Sequence, residues 1–408
     1  MFKKIFTAGC LVTAACTATT ATTDAPSEMT AAEGEALYMK RFNALRDKTG
    51  ATGLPAYDNL KPVAGAEDWK PLPKSEDPYA VVSKDALDAA IDYASKNNTF
   101  SLMVWKDGEM ISETYFGETT ETTPLVSKSL AKPLGVVAVG RAIKLGYIDS
   151  LDQSMSDFIT EWKGTPKEAI RIRDVLGMHS GLLPQAAAFE PDNVLNRAYL
   201  HPFHDRVIIE DYPMVTEPGE TYAYSNANGD LVAPLIERAT GMRYGEWLTT
   251  AIFEPLGAQG GEIWMNRDGG VPHAGCCILL PADTFMRLAI VLVQDGEWKD
   301  EAFLSEAFVE EIKKPGPDYA NAGMGVYLGT PYKERLSPTG AKDAFSGTLQ
   351  TEPYLADDLF SFDGNSNQIA YMVPSENLVI FRMGTWPPKE PEWDNSYLAN
   401  VILKDLQD

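Results

Sequence analysis

Ser129 and Lys132 form an S-x-x-K element at the start of a segment whose apolar residues recur at helical spacing. A serine hydroxyl is a weak nucleophile until a base removes its proton. Residues three apart on a helix share a face, so Lys132 can reach Ser129 Oγ. The helix N-terminus adds N–H groups that stabilise an oxyanion. The pair indicates nucleophilic catalysis, but S-x-x-K also occurs by chance about once in such a chain, and a capping serine is the alternative.

A second candidate element, Tyr224-Ser225-Asn226, follows the turn signal Pro218-Gly219-Glu220 about a hundred residues later. A phenol near an ammonium group can lose its proton more easily and relay protons. The Asn226 amide offers a donor and an acceptor to a substrate. Taken alone, this tripeptide is equally typical of a buried tyrosine with a satisfied hydroxyl.

The order S-x-x-K, then Y-x-N, then a glycine-containing strand near the C-terminus resembles the penicillin-recognising (serine β-lactamase-like) hydrolases. This family includes class C β-lactamases, D-alanyl-D-alanine carboxypeptidases, family VIII esterases and nylon-oligomer hydrolases. Further similar segments are Ile172–Leu182, Glu217–Asn226, Ile252–Gly257 and the helix after Ala282-Asp283. The resemblance implies that Ser129 is acylated, Lys132 takes its proton, Tyr224 passes a proton to the leaving group, and Asn226 contacts the substrate.

The third motif departs from the family pattern. Many relatives have K-T-G or H-x-G here, whereas this chain has Ser361-Phe362-Asp363-Gly364-Asn365. The missing cation commonly helps to hold a substrate carboxylate, so its absence beside Asp363 argues against tight binding of anionic substrates. Gly364 can still let the backbone approach the ligand, and a neighbouring N–H can complete the oxyanion hole. We therefore expect Gly364 and Asn365 to bind substrate.

Hydrophobic periodicity and turn signals predict the elements that position these residues. We expect a hairpin over 100–116 with Asp107-Gly108 as its turn, and strands over 368–373 and 378–383. Predicted helices cover 31–46, 84–97, 129–145, 230–240, 245–252, 282–294 and 395–406. The predicted fold is α/β (α+β) and β-lactamase/transpeptidase-like. An antiparallel sheet of N- and C-terminal strands is flanked by helices, with a mostly helical region inserted.

The N-terminus predicts export. Residues 1–23 combine a basic start, a short apolar run and Thr13-Ala14-Ala15-Cys16, which resembles a bacterial lipoprotein cleavage site. We assign 1–23 to a signal peptide or lipoprotein tether, 24–80 to an N-terminal extension and 81–408 to the hydrolase domain. The protein is expected to be periplasmic or anchored to a bacterial membrane through lipid on Cys16. Plain secretion is the alternative, with retention inside the cell the least favoured.

The remaining residues suggest no other chemistry. The formal net charge of −23 disfavours nucleic acid as a partner. Cys276 and Cys277 are adjacent, so we expect buried, inert thiols and no disulfide framework. His201 and His204 fall in a loop that we expect to be solvated rather than metal-binding. No G-x-S-x-G elbow is present. We predict neither metal nor cofactor.

The sequence thus predicts a serine hydrolase that cleaves a small-molecule ester or amide, including one derived from peptidoglycan, through an acyl-enzyme. A D-alanyl-D-alanine carboxypeptidase or a β-lactamase is the first alternative. A non-catalytic peptidoglycan-binding protein on the same fold is the second. Substrate preference and oligomeric state do not follow from the sequence.

Overall fold

A computed structural model describes residues 29–48, 57–186, 188–340 and 347–407. The predicted export segment, with Cys10 and Cys16, lies outside these residues. No helix in the described part of the chain combines the length and the apolar character needed to cross a membrane.

The largest sheet joins strands from both ends of the chain, as predicted. It has six antiparallel strands in the order β3-β2-β14-β13-β12-β9, with β12 and β9 at the edge that borders the site described below. A four-stranded sheet has the order β1-β5-β6-β4, and two-stranded sheets pair β7 with β8 and β10 with β11. The strands are β1 Leu60–Val63, β2 Thr99–Lys106, β3 Glu109–Tyr115, β4 Leu125–Val126, β5 Gly261–Trp264, β6 Ile278–Leu280, β7 Glu297–Trp298, β8 Glu301–Ala302, β9 Tyr327–Leu328, β10 Arg335–Leu336, β11 Thr348–Leu349, β12 Phe360–Gly364, β13 Gln368–Val373 and β14 Leu378–Gly384.

Helices cover both faces of the main sheet and fill the middle of the chain. They are α1 Ala31–Lys48, α2 Lys84–Lys96, α3 Ala131–Lys144, α4 Ile172–Leu176, α5 Val194–Leu200, α6 His204–Arg206, α7 Asn226–Asp230, α8 Val232–Thr240, α9 Tyr244–Leu248, α10 Glu254–Leu256, α11 Ala282–Val293, α12 Glu306–Ile312 and α13 Tyr397–Gln407. Helices α2 and α13 pack on one face of the sheet, and α11 packs on the other. The helical insertion and the flanking layers are therefore confirmed.

The hairpin β2–β3 shows how local chemistry sets the sheet. Asp107 and Gly108 both have positive φ, 51° and 98°, as a tight turn between right-twisted strands requires. The following helix, α3, is hydrophobic on nearly all sides, and its residues are buried from Ala131 to Gly140. A helix buried in this way lies in the protein centre.

Arg382, on β14, anchors the turn between β12 and β13. It is fully buried, and its guanidinium donates to the carbonyl oxygens of Ser366 at 2.7 Å and Asn367 at 2.8 Å. Its other partners are Asn97 O, Thr385 O and Thr99 Oγ1. One cation thus satisfies five oxygen acceptors near the ends of strands β2, β12, β13 and β14.

Replacing Arg382 with methionine is expected to destabilise the protein by about 3 kcal/mol or more, because several buried carbonyl groups lose their donor. The midpoint of urea unfolding would measure this loss. Arg238→Met is the matched control, since Arg238 pairs with Glu161 nearer the surface and such pairs contribute about 1 kcal/mol or less. Equal midpoints for the two variants would contradict the anchoring role.

Candidate active site

Ser129 lies in a single 3-10 turn, Lys128–Leu130, that leads directly into α3. Lys128 has a left-handed φ of 52°, an unusual conformation for a residue with a side chain. Pro133 falls in the first turn of α3, where a missing N–H costs little. The predicted helix from Ser129 is thus confirmed in position, with its first turn tighter than an α-helix.

Three side chains meet at this turn. Ser129 Oγ lies 2.8 Å from the Tyr224 hydroxyl, and Lys132 Nζ donates to Ser129 Oγ over 3.4 Å. The Lys132 ammonium also lies 4.9 Å from the centre of the Tyr224 ring. A nucleophile within hydrogen-bond reach of two proton-handling groups is the geometry that covalent catalysis requires.

Lys132 is held rigidly. Only 7% of it is exposed, and its Nζ donates to Asn226 Oδ1 at 2.8 Å and to Gly275 O at 2.7 Å. Gly275 is itself tied down, because its N–H donates to Asp230 Oδ1 at 2.8 Å. A Cβ atom at Gly275 would lie only 3.0 Å from Asn226 O, so glycine permits this close approach. These contacts hold the lysine next to Ser129.

Tyr224 is positioned by the turn that precedes α7. The Ser225 side chain caps that helix by accepting from Ala227 N, and Gln185 N donates to Tyr224 O at 2.7 Å. The chain is thereby pinned on both sides of the phenol. Asn226 follows as the first residue of α7, which turns its amide toward Lys132.

A cleft of about 570 Å³ opens over Ser129. Tyr224, Asn226, Gly364 and Asn365 line it as well, so five of the six predicted site residues border one cavity. The sixth residue, Lys132, lines a smaller cleft that shares Ser129 and Tyr224 with the first. The structure therefore brings all six predicted residues together.

Strand β12 forms the sheet side of the cleft. Gly364 ends this strand, and a Cβ atom there would lie 3.3 Å from Leu130 N, so the strand passes close to the turn that carries the nucleophile. Phe362, two residues before Gly364, stands where a K-T-G or H-x-G motif would place its cation, and it is fully buried in the main core. The strand thus presents no cation to the cleft.

Gly275 and Asp230 were not recognised from the sequence as part of this site. Gly275 contributes only backbone atoms, and no side-chain pattern signals such a role. Directly after it, Cys276 and Cys277 are joined in a disulfide, so the prediction of two free thiols is wrong. The left-handed φ of 74° at Cys277 departs from the extended chain in which successive side chains diverge.

The prediction of a solvated loop at His201 and His204 is also wrong. His204 is completely buried, and its ring stacks on that of His273 with centroids 3.9 Å apart. Burial holds the pKa of His204 well below its usual value, so its imidazole is neutral. Aromatic packing by neighbours such as Trp264, which stacks on His273, replaces water here.

His204, Asp230 and His273 are the one group of potential metal ligands found among the described residues, with ligand atoms within 4.8 Å of one another. However, the two imidazole planes are tilted by only 14°. A nitrogen lone pair lies in the plane of its ring, so two nearly parallel stacked rings cannot both point at one ion without rotation. In this arrangement the cluster forms no coordination site.

Comparison with protein families agrees with this geometry. Residues 87–401 match the family model described as Beta-lactamase, which is more than half of the chain. The chain belongs to the beta-lactamase family. The predicted resemblance to the serine β-lactamase-like family is confirmed, and this family consists of hydrolases of one fold.

Curated relatives within the beta-lactamase family are distant. Penicillin-binding protein 4* of Bacillus subtilis is 28% identical over 179 residues, which cover 41% of this chain and only 38% of that protein. The 6-aminohexanoate-dimer hydrolase of Paenarthrobacter ureafaciens is 22% identical over 76% of this chain and 78% of its own length. A penicillin-binding protein homologue from Caulobacter crescentus has a TM-score of 0.59 at 14% identity, covering 83% of this chain and all of that one. This last similarity shows the shared fold.

Proposed function

We propose that the protein is a serine hydrolase that cleaves ester or amide bonds through an acyl-enzyme on Ser129. The observation that carries this proposal is the contact of Ser129 Oγ with both Tyr224 and Lys132, beside an open cleft that Ser129 and Tyr224 line. Membership of the beta-lactamase family supports it.

In the first step, Ser129 Oγ attacks the substrate carbonyl carbon while its proton passes to the Tyr224–Lys132 pair. Tyr224 is the nearer partner at 2.8 Å, and Lys132 contacts Ser129 at 3.4 Å. The tetrahedral intermediate collapses when Tyr224 returns a proton to the leaving oxygen or nitrogen. Water then attacks the acyl-enzyme by the same proton route in reverse, which releases the acid and restores Ser129.

The oxyanion of each tetrahedral intermediate needs backbone donors. We assign this role to the N–H of Ser129, at the start of the helical turn, and to the N–H of Asn365, directly after Gly364. The close approach of β12 to this turn supports the assignment. Anchoring of the following turn by Arg382 keeps the strand end in place during the reaction.

The substrate that this cleft favours has no carboxylate next to the scissile bond. Phe362 fills the cation position on β12, and Lys132 already donates to two protein acceptors. We therefore propose esters or amides rather than β-lactams. The named activity of the Paenarthrobacter relative is compatible with an amide substrate.

Parallel assays of the purified full-length chain with p-nitrophenyl butyrate and a chromogenic cephalosporin test this proposal. We expect kcat/KM for the ester to exceed that for the cephalosporin by about 100-fold or more, because strand β12 offers no cation to a substrate carboxylate. Labelling with a fluorophosphonate, mapped by peptide mass spectrometry, is expected at Ser129. Comparable cephalosporin turnover would favour a β-lactamase, and an unlabelled, inactive protein would favour the binding-protein alternative.

We further propose that the chain is exported and carries lipid on Cys16, on the basis of its N-terminal sequence. Cell fractionation combined with metabolic labelling by a fatty-acid analogue tests this. Recovery of unlabelled protein from the cytosol would contradict both parts of the proposal.

A further inference from the structure

Asp363 places a carboxyl group beside the nucleophile. It is the fourth residue of β12, and it lines both the main cleft over Ser129 and the smaller cleft that reaches Lys132. Neither the proposed acyl transfer nor the fold gives this carboxyl group a role. A charged group that borders a reaction site without a structural function is a candidate for substrate recognition.

The Asp363 carboxyl has no hydrogen-bond or ion-pair partner within residues 29–48, 57–186, 188–340 and 347–407. Four phenols lie near enough for its charge to affect them, namely Tyr319, Tyr327, Tyr354 and Tyr371. Three of these hydroxyls contact backbone carbonyls instead, namely Ser337 O at 2.7 Å, Pro338 O at 3.4 Å and Asn395 O at 2.8 Å. The described residues therefore provide no partner for this partly exposed carboxyl group.

This arrangement costs folding free energy. Burial raises the pKa of Asp363 to about 7, whereas an unfolded aspartate titrates near about 3.9. Between these two values the folded chain keeps a proton that the unfolded chain has released. The contribution of Asp363 to stability therefore falls as pH rises from about 4 to about 7. A carboxyl group that destabilises the fold and lines the reaction cleft is typical of a functional position.

We propose that Asp363 binds a cationic group, an ammonium or substituted ammonium carried by the substrate near its scissile bond. The inference rests on the proposed hydrolase function and narrows its substrate class to amino-bearing esters and amides. An unpartnered carboxylate that lines the cleft over Ser129 supplies the opposite charge for such a group. At the adjacent position Phe362 provides no competing charge.

The other charged groups that line the two clefts do not offer a free carboxylate to a substrate cation. Lys132 donates to Asn226 and Gly275, and Glu392 pairs with Arg335. Lys389 is exposed on the wall of the main cleft. Burial raises the pKa of Tyr319, Tyr327, Tyr354 and Tyr371, so these phenols remain neutral between pH 5.5 and 8. Of the two carboxyl groups on the main cleft, Glu392 has a lowered pKa, so Asp363, with a pKa of about 7, is the one whose charge changes within that range. In the neighbouring turn, burial lowers the pKa of Lys128 to about 8.

Two p-nitrophenyl esters of equal shape test the inference. The β-alanyl ester carries an ammonium where the butyryl ester carries a methyl group. At pH 8 we expect the parent enzyme to prefer the β-alanyl ester, and Asp363→Asn to lower the ratio of kcat/KM values (β-alanyl over butyryl) by about tenfold. The parent ratio is also expected to fall at pH 5.5. Asp149→Asn, at an exposed position outside the cleft, is the matched control and should leave the ratio unchanged.

A binding measurement separates this inference from the hydrolase proposal. Propylammonium is expected to raise the melting temperature of the parent protein at pH 8, but to have a smaller effect at pH 5.5 and on Asp363→Asn. If neither ester is hydrolysed but propylammonium binds in this pattern, the hydrolase proposal fails and the cation site stands. The inference is overturned if the parent and Asp363→Asn have the same ratio of kcat/KM values for the two esters. It is also overturned if propylammonium does not stabilise the parent, or stabilises the parent and the variant equally.

Discussion

Replacing Ser129 with alanine is expected to lower kcat/KM for p-nitrophenyl butyrate by about 1,000-fold or more. This substitution removes only the hydroxyl group, which contacts one side chain each from Tyr224 and Lys132. No covalent intermediate can form without it, so turnover must fall to what the remaining cleft provides. Release of p-nitrophenolate measures the rate, and intact-mass spectrometry of quenched samples measures the butyryl adduct.

The Ser129→Ala result needs evidence that the variant is folded. Its melting temperature should stay close to that of the parent, because Ser129 is partly exposed and only one hydroxyl group is lost. Ser150→Ala, at an exposed position after α3, is the matched control and should keep full activity. A Ser129→Ala variant with parental turnover, or one that still forms an acyl adduct, would show that another residue is the nucleophile.

The grouping of the candidate residues could be predicted from the sequence because they are side chains at fixed local spacings. Ser129 and Lys132 are one helical turn apart, and Tyr224 and Asn226 flank a helix cap. Each pair therefore needs only local structure to be oriented. Their mutual contact is long-range, but the order of motifs along the chain, shared with a known family, was enough to predict it. The hairpin turn at Asp107 and Gly108 was predictable for the same local reason.

The parts that sequence analysis missed depend on tertiary packing. Gly275 accepts a hydrogen bond from Lys132 through its carbonyl oxygen. Because every residue has a carbonyl oxygen, the residue type at position 275 could not predict this contact. The sequence around His204 predicts a solvated loop because its neighbours include a proline and polar residues, yet packing against His273 buries His204 completely. The disulfide of Cys276 and Cys277 depends on a left-handed backbone at Cys277 that the sequence does not signal.

Replacing Lys132 with methionine is expected to lower kcat by about 100-fold or more, the usual contribution of one positioned proton-transfer group. Methionine keeps the apolar length of the side chain but has no ammonium. Gly275 O and Asn226 Oδ1 lose a donor, so we also expect a stability loss of about 1–3 kcal/mol. Kinetics should therefore be measured well below the melting temperature of the variant. Lys144→Met, on an exposed lysine at the end of the same helix, is the control.

A second variant separates the two roles that Lys132 can have. Arginine keeps a positive charge next to Tyr224 but cannot give up its proton in a protein. If Lys132 is the group that accepts the serine proton, Lys132→Arg is expected to be as inactive as Lys132→Met. If the lysine serves only as a fixed charge that stabilises a Tyr224 phenolate, arginine should restore part of the rate, and Tyr224 would be the proton acceptor. The shorter contact of Ser129 with Tyr224, 2.8 Å against 3.4 Å for Lys132, makes this comparison necessary.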